Sequence, residues 1–291
     1  MKKFLFCLLL SSLFLAARPQ DNVTGPASKQ SRVFFSLDYS YLDCNLKLLS
    51  LSKHSVWDGK DFGNTDLDQD QIDTLNSLIN YNEKLQDLNL TAGVVILNNL
   101  DSPWYMDGQL IFGLVSRENS VVNKASDVTE QAFKSENFSP TFGIGFNFSY
   151  RLNDKWKLKL NTRSLYALGT TLEIEDNIFL QVPSLDEKRE IKYKESYSRI
   201  DLLASYTINK LSFSAGPGFY LLYNKHDYNI VRTNTEDGKV YEDTIETSMR
   251  TKTFINGSLI VGWKFSDHFM LRAAAGISND IAATAGIVYS L

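Results

Sequence analysis

The chain carries three histidines, His54, His226 and His268, the side chains best suited to move protons near neutral pH. A general base needs an acid within hydrogen-bond reach to orient it. His226 has Asp227 beside it, and this pair is the one catalytic candidate. Neighbours on an extended strand point to opposite faces, so the couple requires a turn at that point. No G-x-S-x-G run supplies a nucleophile elbow for ester chemistry. Asp66, Asp68, Asp70 and Asp73 bunch carboxylates, yet the run lacks the mid-loop Gly and the terminal Glu of an EF-hand calcium loop. Cys44 is the only cysteine beyond the N-terminal apolar run, so no internal disulfide and no four-cysteine metal site can form there. No metal and no cofactor are expected.

A second set of chemistry-bearing residues is dispersed. Asp38, Arg151, Lys157, Lys159, Arg163, Arg199, Asp201, Lys264 and Arg272 alternate with apolar neighbours, which puts them on one face of strands whose other face is greasy. Two chemistries fit a set of lumen-facing charges. One is a paired network filling a narrow interior, because unpaired buried charge is costly. The other is a hydrated passage whose surplus of cations favours anions.

The alternation that positions these residues is clearest near the C-terminus. Leu259, Val261, Trp263, Leu271, Ile281, Ile287 and Tyr289 share one parity; Ser258, Gly262, Lys264, Arg272, Thr284 and Gly286 share the other. The same period predicts strands over 32–42, 87–97, 104–115, 139–152, 155–167, 197–208, 211–223, 252–265, 268–278 and 281–291. Asn153-Asp154, Asn209-Lys210 and Ser266-Asp267 read as tight turns. Short links at one end and long polar ones at the other predict an all-β fold, a transmembrane antiparallel barrel of about ten strands, with eight or twelve as alternatives. In the first long link, 43–86, Ile72, Leu75, Leu78, Ile79 and Leu85 approach helical spacing. A helix capped at Thr65 or Asp66 and running to Asn82 is expected, either decorating the outer loop or plugging the mouth.

Trp104, Tyr150, Trp156, Tyr206, Trp263, Phe265, Phe269 and Tyr289 all fall near the short turns, as an aromatic girdle at the lipid headgroups would. A mean hydropathy of -0.21 suits such a barrel, since only alternate residues meet lipid. The balance of 14 Tyr and 18 Phe against 6 Pro favours strands.

From Val33 to the closing AATAGIVYSL, the chain resembles the small porin-like outer-membrane β-barrel proteins of Bacteroidetes-type Gram-negative bacteria. The match is one of pattern and brings no active-site motif with it. Such proteins often end on an aromatic residue; here Leu291 is last and Tyr289 shares its parity. The resemblance implies an outer-membrane location with membrane lipid as partner. In strand number and size the chain also resembles omptin-like outer-membrane proteases, which set an Asp pair opposite an Asp-His pair at the external rim. No Asp-x-Asp falls at the first rim position here; Asp66-x-Asp68 belongs to the helical stretch.

Met1-Lys2-Lys3, the apolar run Phe4 to Leu15 and Ala16-Ala17 read as a secretory signal peptide, residues 1–17. Residues 18–31 then form a short periplasmic segment and 32–291 the barrel, with both termini periplasmic. Removing Lys2 and Lys3 leaves 28 basic against 34 acidic residues and shifts the formal net charge from -4 to -6, which weighs against nucleic acid as a partner. The expected role is structural or surface-interacting, with an external ligand or protein meeting loops 116–138, 168–196 and 224–251. A narrow solute channel with mild anion preference is the first alternative, and an enzyme acting at the external rim the second.

Overall fold

The computed structural model describes residues 33–98, 102–126, 128–134, 138–169, 171–174, 185–252, 255–277 and 280–291. The expected leader and the segment 18–31 lie outside the described residues. Strands β1 (Val33–Trp57), β2 (Lys60–Asp66), β3 (Ile79–Asn98), β4 (Trp104–Asn123), β5 (Val128–Lys134), β6 (Ser139–Arg151) and β7 (Trp156–Ala167) are followed by β8 (Thr171–Ile174), β9 (Leu185–Ile208), β10 (Leu211–Asn234), β11 (Val240–Thr251), β12 (Ile255–Lys264), β13 (Phe269–Ile277) and β14 (Ile281–Ser290). One helix, α1 (Gln69–Leu78), lies between β2 and β3.

All the strands join one antiparallel sheet, and the sheet closes on itself. β14 returns to β1 in continuous register from Phe34↔Ser290 to Asp43↔Ile281. At the short-turn end the ring is therefore β1-β3-β4-β6-β7-β9-β10-β12-β13-β14 and back to β1. Closure satisfies the edge groups that an open sheet would leave unpaired. The residue alternation explains the two faces. On β9, Ile200 and Leu202 are exposed outward while Asp201 and Leu203 are buried inward. On β4, Leu110 and Phe112 are exposed while Ile111 is buried. Side chains hold the tight turns: Asn153 Oδ1 accepts from the Lys155 and Trp156 amides, both at 2.9 Å. Against β9, a Cβ at Gly216 of β10 would fall on the Leu202 carbonyl oxygen, so this position needs glycine.

The ring has a second storey. β1 pairs with β14 up to Asp43, then takes β11 as partner from Leu46↔Thr251 to Trp57↔Tyr241. β10 makes the same exchange, leaving β12 after Phe219 and taking β11 from Tyr223. One strand thus bridges β10 to β1 over the ends of β12, β13 and β14. Asp280, at the start of β14, is tucked beneath the crossing; it accepts the Asn45 amide at 3.0 Å and the Tyr220 hydroxyl. β9 and β10 continue together as far as Leu185↔Asn234.

Two expectations need correction here. The stretch 43–86 is mostly strand, because β1 runs on to Trp57 and β3 begins at Ile79. The helix is also shorter than 65–82. Its cap is Asp68, whose side chain accepts the Gln71 amide at 2.9 Å while Gln71 Oε1 accepts the Asp68 amide at 3.0 Å. It stops at Leu78 because β-branched Ile79 is extended and already pairs with Asn123. The Asn76 side chain meets both the amide and the carbonyl of Leu48 at 2.9 Å, filling the gap in β1's ladder between β2 and β3.

Candidate functional site

Inward side chains sort into three tiers. The tier nearest the short turns is polar and largely paired. Arg272 Nη2 lies 2.7 Å from Asp38 Oδ1, and Ser36 donates to Asp38 at 2.9 Å. Arg199 Nε reaches both Asp201 oxygens, at 2.8 and 3.1 Å, while its Nη2 donates to Ser258 Oγ at 3.0 Å. Ser258 in turn donates to Asp201 at 2.6 Å. Lys159 reaches Ser214 at 3.4 Å, and Lys157 and Lys264 are half-buried nearby on the inward parity. Arg163 is inward, with Nε and Nη2 buried and without a hydrogen-bond partner among the described residues. Arg151 is exposed at the β6–β7 turn.

Above this tier the interior turns apolar. Leu46, Leu48, Leu85, Val115, Leu222 and Met249 belong to one buried cluster, contributed by β1, β3, β4, β10 and β11 from different sides of the ring. Ile72 of α1 packs into the same cluster, so the helix contributes to closing the interior. Each fully buried aliphatic side chain of this kind stabilises by roughly 1.5–3 kcal/mol.

The third tier is a buried polar knot. Glu83 of β3 accepts from Asn224 Nδ2 of β10, a contact across the ring interior. Glu195 of β9 is the neighbouring carboxyl. Arg117 Nη2 lies 3.5 Å from Glu195, and its guanidinium sits 4.8 Å from the centre of the Tyr193 ring. On the outward face at this height the residues are charged: Lys84 pairs with Glu118 at 3.8 Å and Lys225 with Glu246 at 2.7 Å. The knot therefore lies beyond the apolar outer band. Burial pushes the Glu83 carboxyl well up, with Glu195 reinforcing the shift and Arg117 opposing it. Burial, and secondarily the Arg117 charge, pushes His226 down to about 3, so its ring is neutral.

The structure does not bring His226 and Asp227 together. His226 points inward, edge-on to Tyr193 at 4.7 Å and 3.4 Å from the Tyr228 hydroxyl. Asp227 points the other way and lies 3.6 Å from Lys225. Strand alternation at β10 is the physical reason. Glu83, Arg117, Glu195 and Asn224 did not stand out in the sequence, since all four fall in or beside stretches that read as loops. Of the acidic bunch, Asp68 caps α1 and Asp73 lies 3.5 Å from Lys47.

The aromatic residues near the short turns meet across strands. Trp104 lies 4.5 Å from Tyr150, Trp156 4.9 Å from Tyr206, and Phe269 4.8 Å from Tyr289, measured between ring centres. Phe265, just past the end of β12, is buried between Trp263 and Phe269.

No protein-family model and no curated protein sequence matches the chain. Among solved structures, the translocator domain of the autotransporter NalP from Neisseria meningitidis is similar at 10% identity and a TM-score of 0.40, covering 100% of this chain and 95% of that one. The transport unit of the autotransporter AIDA-I from Escherichia coli gives 10% identity and a TM-score of 0.35, covering 93% and 94% of the two chains. The outer membrane protease OmpT from Escherichia coli gives 10% and 0.31, covering 88% and 97%. Likenesses this distant carry no argument about what the chain does; the strand pairings carry the fold.

Proposed function

We propose that the chain is an outer-membrane β-barrel of a Gram-negative bacterium, closed through its middle, that presents a sheet-built outer rim for surface interaction. The apolar exterior supports the lipid setting. Leu90, Leu110, Phe112, Ile144, Leu202 and Leu259 are large, apolar and exposed around the ring. On β9 the run from Ser196 to Tyr206 rises about 25 Å at a barrel's usual tilt, which matches the height of a lipid-facing band. Short turns at the girdle end support a periplasmic placement of that end, and with it both termini.

One observation carries the functional reading: the buried apolar cluster that crosses the ring above the paired charges. An apolar constriction excludes water by dewetting, and side chains fill the interior of narrow barrels. The role then falls to the outer storey, where β1, β2, β9, β10 and β11 project as sheet beyond the band. Planar-bilayer recording on the refolded full-length protein tests this. Silent, heat-modifiable, inserted protein is expected; steady unitary conductance would overturn the closed reading. Lys157 and Lys159, half-buried on the inward face of β7, favour a narrow anion-preferring channel as the second reading. Under it, conductance would appear and be anion-selective. His226 and Asp227, on opposite faces of β10, lend no support to an enzyme at the rim.

A further inference from the structure

The far end of the outer storey carries a feature that neither closure nor anchoring requires. Trp57 at the tip of β1 stacks between Phe62 of β2, at 6.1 Å and 27°, and Tyr241 of β11, at 5.2 Å and 29°. The three rings make one aromatic stack, a shelf whose outermost plane is Phe62: Trp57 is 48% and Phe62 61% exposed. Solvent-facing rings normally cost a soluble surface something, and among the described residues these two remain open to solvent.

Beside the shelf lies a cleft of about 480 Å³ whose polar wall is Ser55, Arg232 and Asp243. That wall is held rigid. Asp243 accepts Ser55 Oγ at 2.7 Å, Arg232 Nη1 at 2.9 Å, and faces Lys53 Nζ at 3.1 Å. A smaller cleft of about 240 Å³ shares Trp57 and Phe62 and adds Asp58, Lys60 and Lys239. Two clefts that share these rings suit a ligand that extends along both as a chain.

We infer that this shelf is a binding site for a saccharide chain. Pyranose rings present apolar C–H faces that lie flat on aromatic planes and hydroxyl edges that need fixed donors and acceptors. The shelf and its wall offer both at once. Other occupants fit less well. An extended peptide would add to a free strand edge; β1 and β11 are paired on both sides, and the edge that β2 leaves among the described residues is short and charged, with Lys60, Asp61 and Asp66, which blunts strand addition. A lipid surface is out of reach: from Asp43 to Trp57 the strand runs on for about 45 Å, or about 35 Å of height at a barrel's tilt. At that height the chemistry around an outer-membrane protein is polysaccharide, whether from lipopolysaccharide or from outside the cell.

The inference deepens the surface-interaction reading and rests on it for access to the site. Its test is separate, because binding in micelles does not depend on whether the barrel conducts. Full-length refolded protein is titrated by calorimetry with lipid-free polysaccharide released from lipopolysaccharide, with neutral dextran and with acidic alginate. Saturable binding to at least one is expected, weakened tenfold or more by Trp57→Ala and by Phe62→Ala, with heat-modifiable migration unchanged. Phe62 lies on the exposed β2 and keeps the test alive if Trp57→Ala fails to fold. The responding arm identifies the source. Absence of saturation in every arm, or binding that both substitutions leave intact, would overturn the inference.

Discussion

Leu202→Arg separates a lipid-facing surface from a wet one. Leu202 is 54% exposed on β9, paired with Leu160 of β7, whose next partner in the row is Phe148 of β6. Tyr206, level with Trp156 in the girdle, lies about 10 Å of height below it, and Ser196 about 15 Å above, at roughly 2.5 Å of height per residue. Leu202 therefore sits near the middle of the band. If water bathed this face, replacing a half-exposed Leu would change stability by no more than about 0.5 kcal/mol. In lipid, an arginine near the midplane costs about 2–4 kcal/mol, and close to the interface about 0–1. Ile208→Arg, two residues past Tyr206 on the same outward face, supplies the interface control. Urea titration of folding into phospholipid vesicles, read by electrophoretic mobility, should show Leu202→Arg losing about 2 kcal/mol or more relative to Ile208→Arg. Equal costs for the two, or no cost for Leu202→Arg, would refute the lipid-facing assignment.

His226, with its folded pKa of about 3 against 6.5 when unfolded, should make the outer storey acid-sensitive. Between those values only the unfolded chain binds the proton, so stability falls as pH drops, by about 1.4 kcal/mol per unit and about 3 kcal/mol by pH 4. Glu83 and Glu195, whose carboxyls burial raises, act in the opposite sense, losing stability as pH rises. His226→Phe keeps the ring against Tyr193 and should abolish only the histidine part; urea midpoints at pH 6.5 and pH 4 that move in parallel in both proteins would contradict this. Arg117→Ala strips the cation from a buried pair and should cost about 3–5 kcal/mol. Adding Glu195→Gln should restore at least half of that loss, and a double variant no better than the single would show that the pair is not coupled.

The sequence was legible where one face of a strand meets the outside and the other the interior. The alternation of Ile200, Leu202 and Ala204 against Asp201 and Ser205 marks β9 up to the band's edge. Past that edge the sign of the pattern inverts. On β1, Asp38 is inward below, while Leu42, Leu46 and Leu48 are inward above, with Asp43, Asn45 and Lys47 outside. A reading that follows a fixed greasy parity must stop near Leu42. The knot was illegible for a further reason. Glu83, Arg117, Glu195 and Asn224 sit on β3, β4, β9 and β10, and only the curvature of the closed sheet brings them together. The capping box at Asp68 and Gln71 was readable, but Thr65 and Asp66 offered equally good caps nearby.

β1 holds both closing seams, with β14 from Phe34 to Asp43 and with β11 from Leu46 to Trp57. β1 therefore stays open along one side until β11 and β14 have arrived. Contacts between residues this far apart in sequence form slowly, since almost the whole chain must be gathered before they repay its lost entropy. During that interval β1 is a long open edge, and an open edge recruits any strand that meets it. Folding thus sets β14 against any other strand that reaches β1, and with two seams on the same strand a ring can be closed at one and open at the other. Such a chain depends on being kept dilute or escorted until β1 is claimed twice.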